Sequence, residues 1–412
     1  MTGVRRITRL RGPISLPAYL VLGALTMITP LSTNIVAPAL PRIAEAFGTT
    51  PASAQVTISA ALIGIALGQL AIGSISDRLG RRLPVLVGTV VFVILCLACA
   101  AAPTLPVLIA LRFLQGFAGA SGVVLARASI RDRINGPYAA QAMSRLLIVA
   151  AIAPVIGPVV GAIVMSVTSW RGVFLVLAAM GVIAFLLSLR WFPETLHHTA
   201  RHGEGSGELR AARRRMFSDP KFWAYVLVAG LLGTLSFSWL GTSSFLLQGQ
   251  YGVSATGYAV ILGLTSLAFL LSAAINSRLV LRIGARTALL RGLFVIIAGC
   301  SVLLVCIIIH APLVVLVAAA LIGFGSYGGM IANAQALGME EHGRAAGTAA
   351  ALLGSAQFLF GAFIPPIVTH YLGATWSMGA TMVAAALLAL LMTLLAGSRG
   401  RDPHTVDAEV MP

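Results

Sequence analysis

Side chains that could titrate or bind a charged group are few in this sequence, and their positions are informative. Arg112 lies several residues inside the apolar run 105–126. A cation there is costly unless it faces a polar cavity or a partner, so Arg112 is a candidate functional residue. No acidic residue lies inside an apolar run; Asp77, Asp132, Glu194, Glu340 and Glu341 lie at the cytoplasmic edges, and Glu45 lies outside. Any buried proton site would therefore need another kind of group.

Cys96 and Cys99 have the CxxC spacing of redox and metal sites. Both lie inside one apolar run, where two small packing residues are the favoured interpretation. The sequence contains no recognisable nucleophile with its base, metal-ligand cluster or phosphate-binding loop. We therefore expect no enzymatic activity, no metal and no cofactor.

The elements that carry these residues are membrane helices. Of 412 residues, 58% are hydrophobic and 10% charged, whereas about 25% of a soluble domain is charged. Twelve apolar runs, each about long enough to cross a bilayer, lie at 17–40, 52–75, 83–102, 105–126, 139–166, 171–191, 222–247, 255–277, 287–310, 313–337, 344–371 and 376–397. The predicted fold is an all-α integral membrane protein with twelve transmembrane helices.

A polar segment rich in glycine and arginine separates the runs into two groups of six. Its composition cannot form a packed core and suits a flexible linker. The predicted divisions are an N-terminal segment 1–16, a first bundle 17–191, a linker 192–221, a second bundle 222–397 and a tail 398–412. The first run is expected to remain as a helix, because no convincing cleavage site follows it.

The net charge of +16 lies almost entirely on alternate loops. One set of loops holds nearly all the arginines, and the other holds only Arg42 and Arg171. Cytoplasmic loops retain positive residues, so we expect the linker and both termini on the cytoplasmic side of the inner membrane. Topology and contact with anionic lipid heads then explain the charge, and no nucleic acid is expected.

The two groups also resemble each other. The segment 73–82 reads Gly-Ser-Ile-Ser-Asp-Arg-Leu-Gly-Arg-Arg, and Gly80 permits a tight reversal between two helices. Its sequence Arg78-Leu-Gly-Arg-Arg82 is echoed by Arg282-Ile-Gly-Ala-Arg286 at the equivalent place in the second group. Parallel six-helix repeats with a site between the halves are one known architecture of transporters.

Six motifs in a fixed order carry a resemblance to a known family: 77–82 (Asp-Arg-Leu-Gly-Arg-Arg), 112–116 (Arg-Phe-Leu-Gln-Gly), 124–132 (Val-Leu-Ala-Arg-Ala-Ser-Ile-Arg-Asp), Gly-Pro-x-x-Gly at 157–161, Trp-Arg at 170–171 and Pro-Glu-Thr-Leu at 193–196. With these motifs the chain resembles the major facilitator superfamily and, within it, the Bcr/CflA group of drug exporters. The resemblance covers nearly all of residues 14–397. It implies two six-helix halves that rock about a central site.

The resemblance also implies roles for single residues. The turn at 73–82 would latch one conformation, with Asp77 in contact with the amino end of a helix or with an arginine such as Arg131. Gly157, Pro158 and Gly161 would form the motif that is typical of exporters. A kinked packing helix explains that last motif equally well. The gating candidates are Gly73, Asp77, Arg78, Gly80, Arg81, Arg131, Gly157, Pro158 and Gly161.

The resemblance also implies a substrate cavity bounded by the first, fourth, seventh and tenth helices. Its candidates are Tyr19, Thr26, Thr29, Asn34, Gln115, Phe237, Trp239, Phe324, Tyr327 and Asn333, and proton coupling would involve Arg112 or Asp132. Asn34 stands where members of the group usually carry an aspartate, and asparagine cannot titrate. His310 and His370, near the outer ends of their helices, are weaker candidates for the coupling group.

Three functions remain open at this point. The first is export of small neutral or zwitterionic drug-like compounds by a monomeric proton antiporter with alternating access. The second is an uncoupled or differently coupled metabolite transporter, for uptake or release, because Asn34 replaces the acid. A non-transporting sensor or scaffold is the least favoured, since neither the linker nor the tail could supply a folded domain.

Overall fold

The computed structural model describes residues 16–133, 137–195, 206–342 and 345–397, and every regular element within these ranges is helical. The first half contains α1 (Leu16–Asn34), α2 (Leu40–Ala46), α3 (Pro51–Leu79), α4 (Arg82–Ala100), α5 (Leu105–Arg133), α6 (Pro137–Val167) and α7 (Trp170–Trp191). The second half contains α8 (Ser206–Phe217), α9 (Pro220–Ser244), α10 (Ala255–Ile283), α11 (Ala285–Ile308), α12 (Leu313–Gly323), α13 (Tyr327–Met339) and α14 (Ala346–Gly397). Eleven described helices are long and apolar enough to cross a membrane, and a shorter apolar stretch lies at Ile152–Val167. The predicted twelve-helix, all-α fold is confirmed.

Several crossings are bent or joined at particular residues. The first crossing continues past α1 through a 3₁₀ turn at Ala37–Ala39 into α2, since Pro38 removes a backbone donor. The seventh continues from α9 into a π-helix at Phe245–Gln250. The last two predicted runs form the two arms of α14, which Gly373 separates with a φ of 74°.

The reversal predicted at Gly80 is confirmed, and its repeat has the same geometry. Gly80 ends α3 with a φ of 92°, and Gly284 ends α10 with a φ of 76°. A residue with a side chain resists this region of φ. The sequence repeat therefore corresponds to two turns of one conformation. We call the end of the bundle with these turns the motif end, and the end with the turns near 48 and 252 the far end.

The segment predicted as a flexible linker is partly helical. Helix α8 places Met216 against the core of the second half, whereas Arg213, Arg214 and Arg215 are exposed. Ala212 is partly buried and packs against the same core. Residues 1–15, 196–205 and 398–412, which belong to the predicted terminal segments and linker, lie outside the described residues.

Each half has its own hydrophobic core, and a third cluster joins the halves. The joining cluster contains Leu40, Ile58, Leu62, Ile65 and Ala362, with Phe237, Phe245 and Phe358 packed against it. Helix α3 packs against α14, and α10 packs against α6. Many large apolar side chains are exposed on the outside of the bundle, Leu281 and Val314 among them, as expected where lipid replaces water.

Candidate functional site

A cavity of about 350 Å³ lies between the two halves. The helices α1, α3, α5 and α6 line it from the first half, and α9, α10, α13 and α14 line it from the second. From the sequence candidates, Thr26, Thr29, Asn34, Phe237, Trp239, Phe324 and Tyr327 line it. The volume suits one small molecule. The cavity extends from Asn34 at mid-depth toward the motif end as far as Arg127 and Gln335.

Contacts between the halves close the cavity at the far end. Gln55 donates from Nε2 to Thr242 Oγ1 at 3.2 Å, and Gln248 donates from Nε2 to the carbonyl oxygen of Pro38 at 3.3 Å. At mid-depth, Ser266 Oγ donates to the carbonyl oxygen of Pro154 at 3.0 Å. A ligand in the cavity is thus separated from the far end by packed side chains.

Asn34 is the last residue of α1 and stands beside Pro158 in the cavity wall. Its Nδ2 donates to the carbonyl oxygen of Pro30 at 2.6 Å. This bond runs back across one helical turn, to a carbonyl four residues earlier near the end of α1. The Asn34 side chain therefore has a local structural role as well as a position in the cavity.

Aromatic rings from the second half form one wall. The rings of Trp239 and Phe324 are stacked with centroids 5.8 Å apart, and those of Phe324 and Tyr327 are stacked at 6.0 Å. Gln357 Nε2 donates to the Tyr327 hydroxyl at 2.7 Å. Trp239 Nε1 is buried and has no hydrogen-bond partner among the described residues. This wall offers an apolar aromatic surface.

Gln115, Asn333 and Tyr19, also expected in the cavity, lie elsewhere. Gln115 is buried and donates from Nε2 to Cys96 Sγ at 2.8 Å. Asn333 exchanges two side-chain hydrogen bonds with Asn276, at 2.9 and 3.0 Å. Tyr19 packs against the core of the first half near the motif end. The side-chain amides of Gln115 and Asn333 form hydrogen bonds within the protein, because a buried amide must satisfy its hydrogen bonds.

Arg112 is fully buried and does not line the described cavity. Its guanidinium donates to the carbonyl oxygens of Ser32 and Thr57, at 3.2 and 3.3 Å, and to Gln115 Oε1. The Phe174 ring lies 5.7 Å from its Cζ. These acceptors belong to α1, α3 and α5 itself, so the cation joins three helices.

Arg81 organises a charged cluster at the motif end. It donates to Asp77 Oδ1 at 2.7 Å and to Asp132 Oδ2 at 2.8 Å, and Glu194 accepts from its backbone N–H at 2.9 Å. Burial lowers the pKa of Arg81, but its hydrogen bonds to Asp132 and Asp77 and their negative charges outweigh burial, so the pKa is raised overall. Thr195 also donates to Asp132, at 3.1 Å.

The partner of Asp77 is therefore Arg81 of the same turn. The side chain of Arg131, named as a possible partner from the sequence, lies outside the described residues, and that of Asp77 is 65% exposed. Arg78 is exposed to solvent, and Gly73 is half-buried near Val124. The latch attributed to this turn by resemblance stays a prediction.

Known proteins agree with this architecture. The model of the Major Facilitator Superfamily matches residues 22–365. The chain belongs to this superfamily. A Bacillus subtilis protein named as an uncharacterized MFS-type transporter, YdgK, is 31% identical over 90% of this chain and 92% of its own length. As a member of a transporter family, this chain is a multi-pass membrane transport protein for small molecules and not an enzyme.

Two further relatives of this major facilitator protein have names that describe resistance. A bicyclomycin resistance protein homolog of Haemophilus influenzae is 28% identical over 91% of this chain and 95% of its own length. A chloramphenicol resistance protein of Pseudomonas aeruginosa is 28% identical over 94% of this chain and 93% of its own length. The resemblance to the Bcr/CflA group is confirmed.

Solved structures share the fold of this major facilitator protein. A bacterial homolog of the human lysosomal transporter Spinster, in an inward-facing and unoccupied conformation, has a TM-score of 0.72, 16% identity and coverage of 93% and 98% of the two chains. A D-xylose-proton symporter has a TM-score of 0.73, 16% identity and coverage of 90% and 96%.

The glycines of the fifth crossing lie where the first and fifth crossings of this major facilitator protein touch. A Cβ added to Gly157 would lie 2.8 Å from Asn34 Cβ, and one added to Gly161 would overlap the backbone oxygen of Ile35. The helices could not approach this closely if either residue had a side chain. Pro158 between them lines the cavity.

Some residues that line the cavity were not among the sequence candidates, and the two candidate histidines lie outside the cavity. Arg127 is an exposed cation in the cavity, within the quoted motif 124–132, and Gln69, Gln335 and Gln357 supply amides. The available signal was helical spacing, since Arg127 lies one turn after Val123, which also lines the cavity. His310 is exposed at the far end, and His370 lines a separate groove beside Tyr371.

Proposed function

We propose that this protein exports small drug-like compounds across the cytoplasmic membrane, with the central cavity as the substrate site. The observation that carries the proposal is a cavity of about 350 Å³ shared by two six-helix halves, in a chain whose relatives include proteins named for bicyclomycin and chloramphenicol resistance. Alternating contact between the halves would expose this cavity to each side in turn.

The arginine distribution supports an orientation with the motif end in the cytoplasm. Exposed arginines at this end include Arg78, Arg82, Arg213, Arg278 and Arg282, and cytoplasmic loops retain such residues. The cavity then extends toward the cytoplasm and is closed on the outside, as loading for export requires. One chain supplies both halves of the cavity, which supports a monomer as the working unit.

Accumulation of drugs in cells tests the export proposal. Cells that make the protein should accumulate less of at least one compound in a broad panel that includes chloramphenicol and bicyclomycin. The control is the same cells with Gly161→Leu, whose side chain would collide with the backbone at Ile35. Unchanged accumulation across the panel, with the protein present in the membrane, would contradict export.

We further propose that export is driven by proton antiport, with the coupling group outside the part of the cavity wall that the structure describes. The described lining residues include no aspartate or glutamate. In proteoliposomes, collapse of an imposed pH gradient should abolish concentrative transport. Unchanged transport would favour the second candidate, an uncoupled carrier of metabolites, which the neutral Asn34 side chain in the cavity supports.

A carboxylate at position 34 would provide a titrating group in the cavity. We expect Asn34→Asp to make substrate affinity depend on pH, because a carboxyl group in the cavity wall can gain and lose a proton whereas an amide cannot. Asn34→Gln is the matched control and should not add such dependence. If Asn34→Asp adds none, the coupling group lies elsewhere.

A further inference from the structure

Helix α8, in the segment between the two halves, is buried on one side and exposed on the other. Met216 and Ala212 pack against the core of the second half, whereas Arg213, Arg214 and Phe217 are exposed. Residues three and four positions apart lie on the same side of a helix. Phe217 therefore shares the outer side of α8 with both arginines.

The charges of these two arginines are available to a ligand. Among the side chains that the structure describes, the two have no hydrogen-bond or ion-pair partner. Two acids at the same end already have partners: Asp219 bonds to His342 at 2.9 Å, and Glu341 pairs with Lys221 at 2.6 Å. The outer side of α8 thus presents two adjacent cations to its surroundings.

An exposed aromatic pair joins α8 to the first turn of α9. The side chains of Phe217 and Trp223 are 47% and 40% exposed, and their ring centroids lie 6.1 Å apart. Trp223 Nε1 donates to the carbonyl oxygen of Phe217 at 2.9 Å, so the indole is held in place. Leu227, one turn further along α9, is 38% exposed. We call Phe217, Trp223 and Leu227 the apolar strip.

The apolar strip lies where the seventh crossing enters the membrane. Trp223 is near the beginning of the apolar helix that starts at Pro220. In the first half, Trp191 ends the sixth crossing at the same end of the bundle and is 43% exposed. Tryptophans are enriched at the boundary between lipid and water. The strip therefore begins at the level of the lipid headgroups and continues toward the acyl chains.

We propose that the junction of α8 and α9 is a binding site for an anionic phospholipid of the cytoplasmic leaflet. Its phosphate group binds Arg213 and Arg214, and its acyl chain packs along the apolar strip. Charge-assisted hydrogen bonds favour such a phosphate over a headgroup without net charge. The site is narrower than the general attraction of basic loops to lipid, because it joins two particular cations to one apolar surface. Only the choice of leaflet rests on the proposed orientation.

Quenching of Trp223 by brominated lipid tests the proposal. The full-length protein is placed in nanodiscs of an equimolar mixture of phosphatidylglycerol and phosphatidylcholine, with bromine on the acyl chains of one lipid or of the other. The difference between the wild type and Trp223→Phe isolates the signal of this residue. We expect brominated phosphatidylglycerol to quench Trp223 at least about threefold more strongly than brominated phosphatidylcholine, since basic residues attract anionic lipid.

Two double variants separate this site from the charge of the whole surface. Arg213→Gln with Arg214→Gln should make quenching by the two lipids equal, and lysine at both positions should retain most of the preference. The matched control, Arg278→Gln with Arg282→Gln, removes two exposed arginines of α10, which packs against α6 and α13. The control should leave the preference unchanged. In detergent, neither glutamine pair should change the unfolding temperature, since all four side chains are exposed.

Three results would overturn the proposal: equal quenching by the two lipids in the wild type, an unchanged preference after both α8 arginines are replaced by glutamine, or an equal loss of preference in the α10 control. The first would leave a soluble acidic partner as the occupant of the two cations. The third would show that the charge of the whole motif end attracts anionic lipid. Drug accumulation is measured separately, so each result leaves the export proposal standing.

Discussion

At the scale of single residues, Arg112 shows how a buried charge can hold helices together. Its guanidinium has five N–H donors in a fixed plane, and the acceptors around it belong to α1, α3 and α5. No carboxylate is among these acceptors, so backbone carbonyl dipoles and one amide stabilise the cation. The role in proton coupling that resemblance assigns to Arg112 stays a prediction.

Replacement of Arg112 by glutamine should destabilise the protein by about 3 kcal/mol or more, since hydrogen bonds to a charged group contribute about 1.5–3 kcal/mol each. Thermal unfolding of purified protein in detergent measures this. Arg213→Gln on the exposed face of α8 should leave the unfolding temperature unchanged. An Arg112→Gln protein with normal stability but altered pH dependence of transport would instead favour the coupling role.

At the scale of helices and turns, two kinds of contact decide how elements meet. Glycines allow the first and fifth crossings to approach at Gly157 and Gly161. Ion pairs and capping hydrogen bonds at the motif end join the turn after α3 to the ends of α5 and α7. The contact between the first and fifth crossings depends on the absence of side chains at two glycines, and the contact at the motif end depends on the buried charge of Arg81.

Gly161→Ala should force the fifth crossing away from Ile35 and destabilise the protein by about 1–3 kcal/mol, as expected for overpacking. Gly263→Ala is the matched control, because a Cβ at Gly263 would meet no atom within 4 Å and alanine favours the helix. Unfolding temperatures and drug accumulation would be compared for the two variants. Equal stability of both would contradict the close packing of these helices.

Arg81→Ala should destabilise the protein by about 3 kcal/mol, because it leaves the carboxylate of Asp132, which is 17% exposed, without its cation. The comparison is Arg42→Ala, which removes an exposed pair with Glu45 and should cost less than about 1 kcal/mol. Chemical denaturation monitored by intrinsic fluorescence would give both values. Similar losses would show that the cluster contributes no more than a surface ion pair.

At the scale of the whole molecule, transport requires that the far-end contacts between halves break and reform. Gln55 and Thr242 bridge the halves there at 3.2 Å, and a Cβ at Gly241 would collide with Gln55. Among the described residues, each half has its own core, and the halves meet at an apolar cluster and at a few hydrogen bonds such as Ser266 to Pro154. A rocking motion would leave each core intact and replace only the contacts between them.

A covalent bridge at this place should stop transport. Cysteines introduced together at positions 55 and 242 should cross-link under mild oxidation, and drug accumulation should then rise to the level of cells without the protein. A reducing agent should restore export. The single variants Gln55→Cys and Thr242→Cys control for local effects, and undiminished export by the cross-linked protein would contradict alternating access at this interface.

The sequence by itself determined the membrane class, the helix count and the family. Apolar runs of sufficient length must become helices in lipid, because only internal hydrogen bonds satisfy the backbone there. Gly80 and Gly284 mark the repeated turns because each has a positive φ, which glycine adopts without strain. The apolar run placed Thr26, Thr29 and Asn34 on the first helix, and the resemblance placed that helix at the cavity, where all three residues lie. The partly helical linker was not foreseen, since α8 depends on the burial of Met216 against distant helices.

Only the tertiary structure decided which polar residues face the cavity. Gln115 and Asn333 are polar residues of the kind that line cavities, but their side-chain amides form hydrogen bonds with residues of other helices. Arg127 entered the sequence analysis only as part of the motif 124–132, and the packing of the two halves places it in the cavity wall. The direction in which a side chain faces depends on how its helix is rotated in the bundle and on contacts between residues far apart in the sequence. A pattern along one chain therefore identifies the helices but not the surfaces they present to one another.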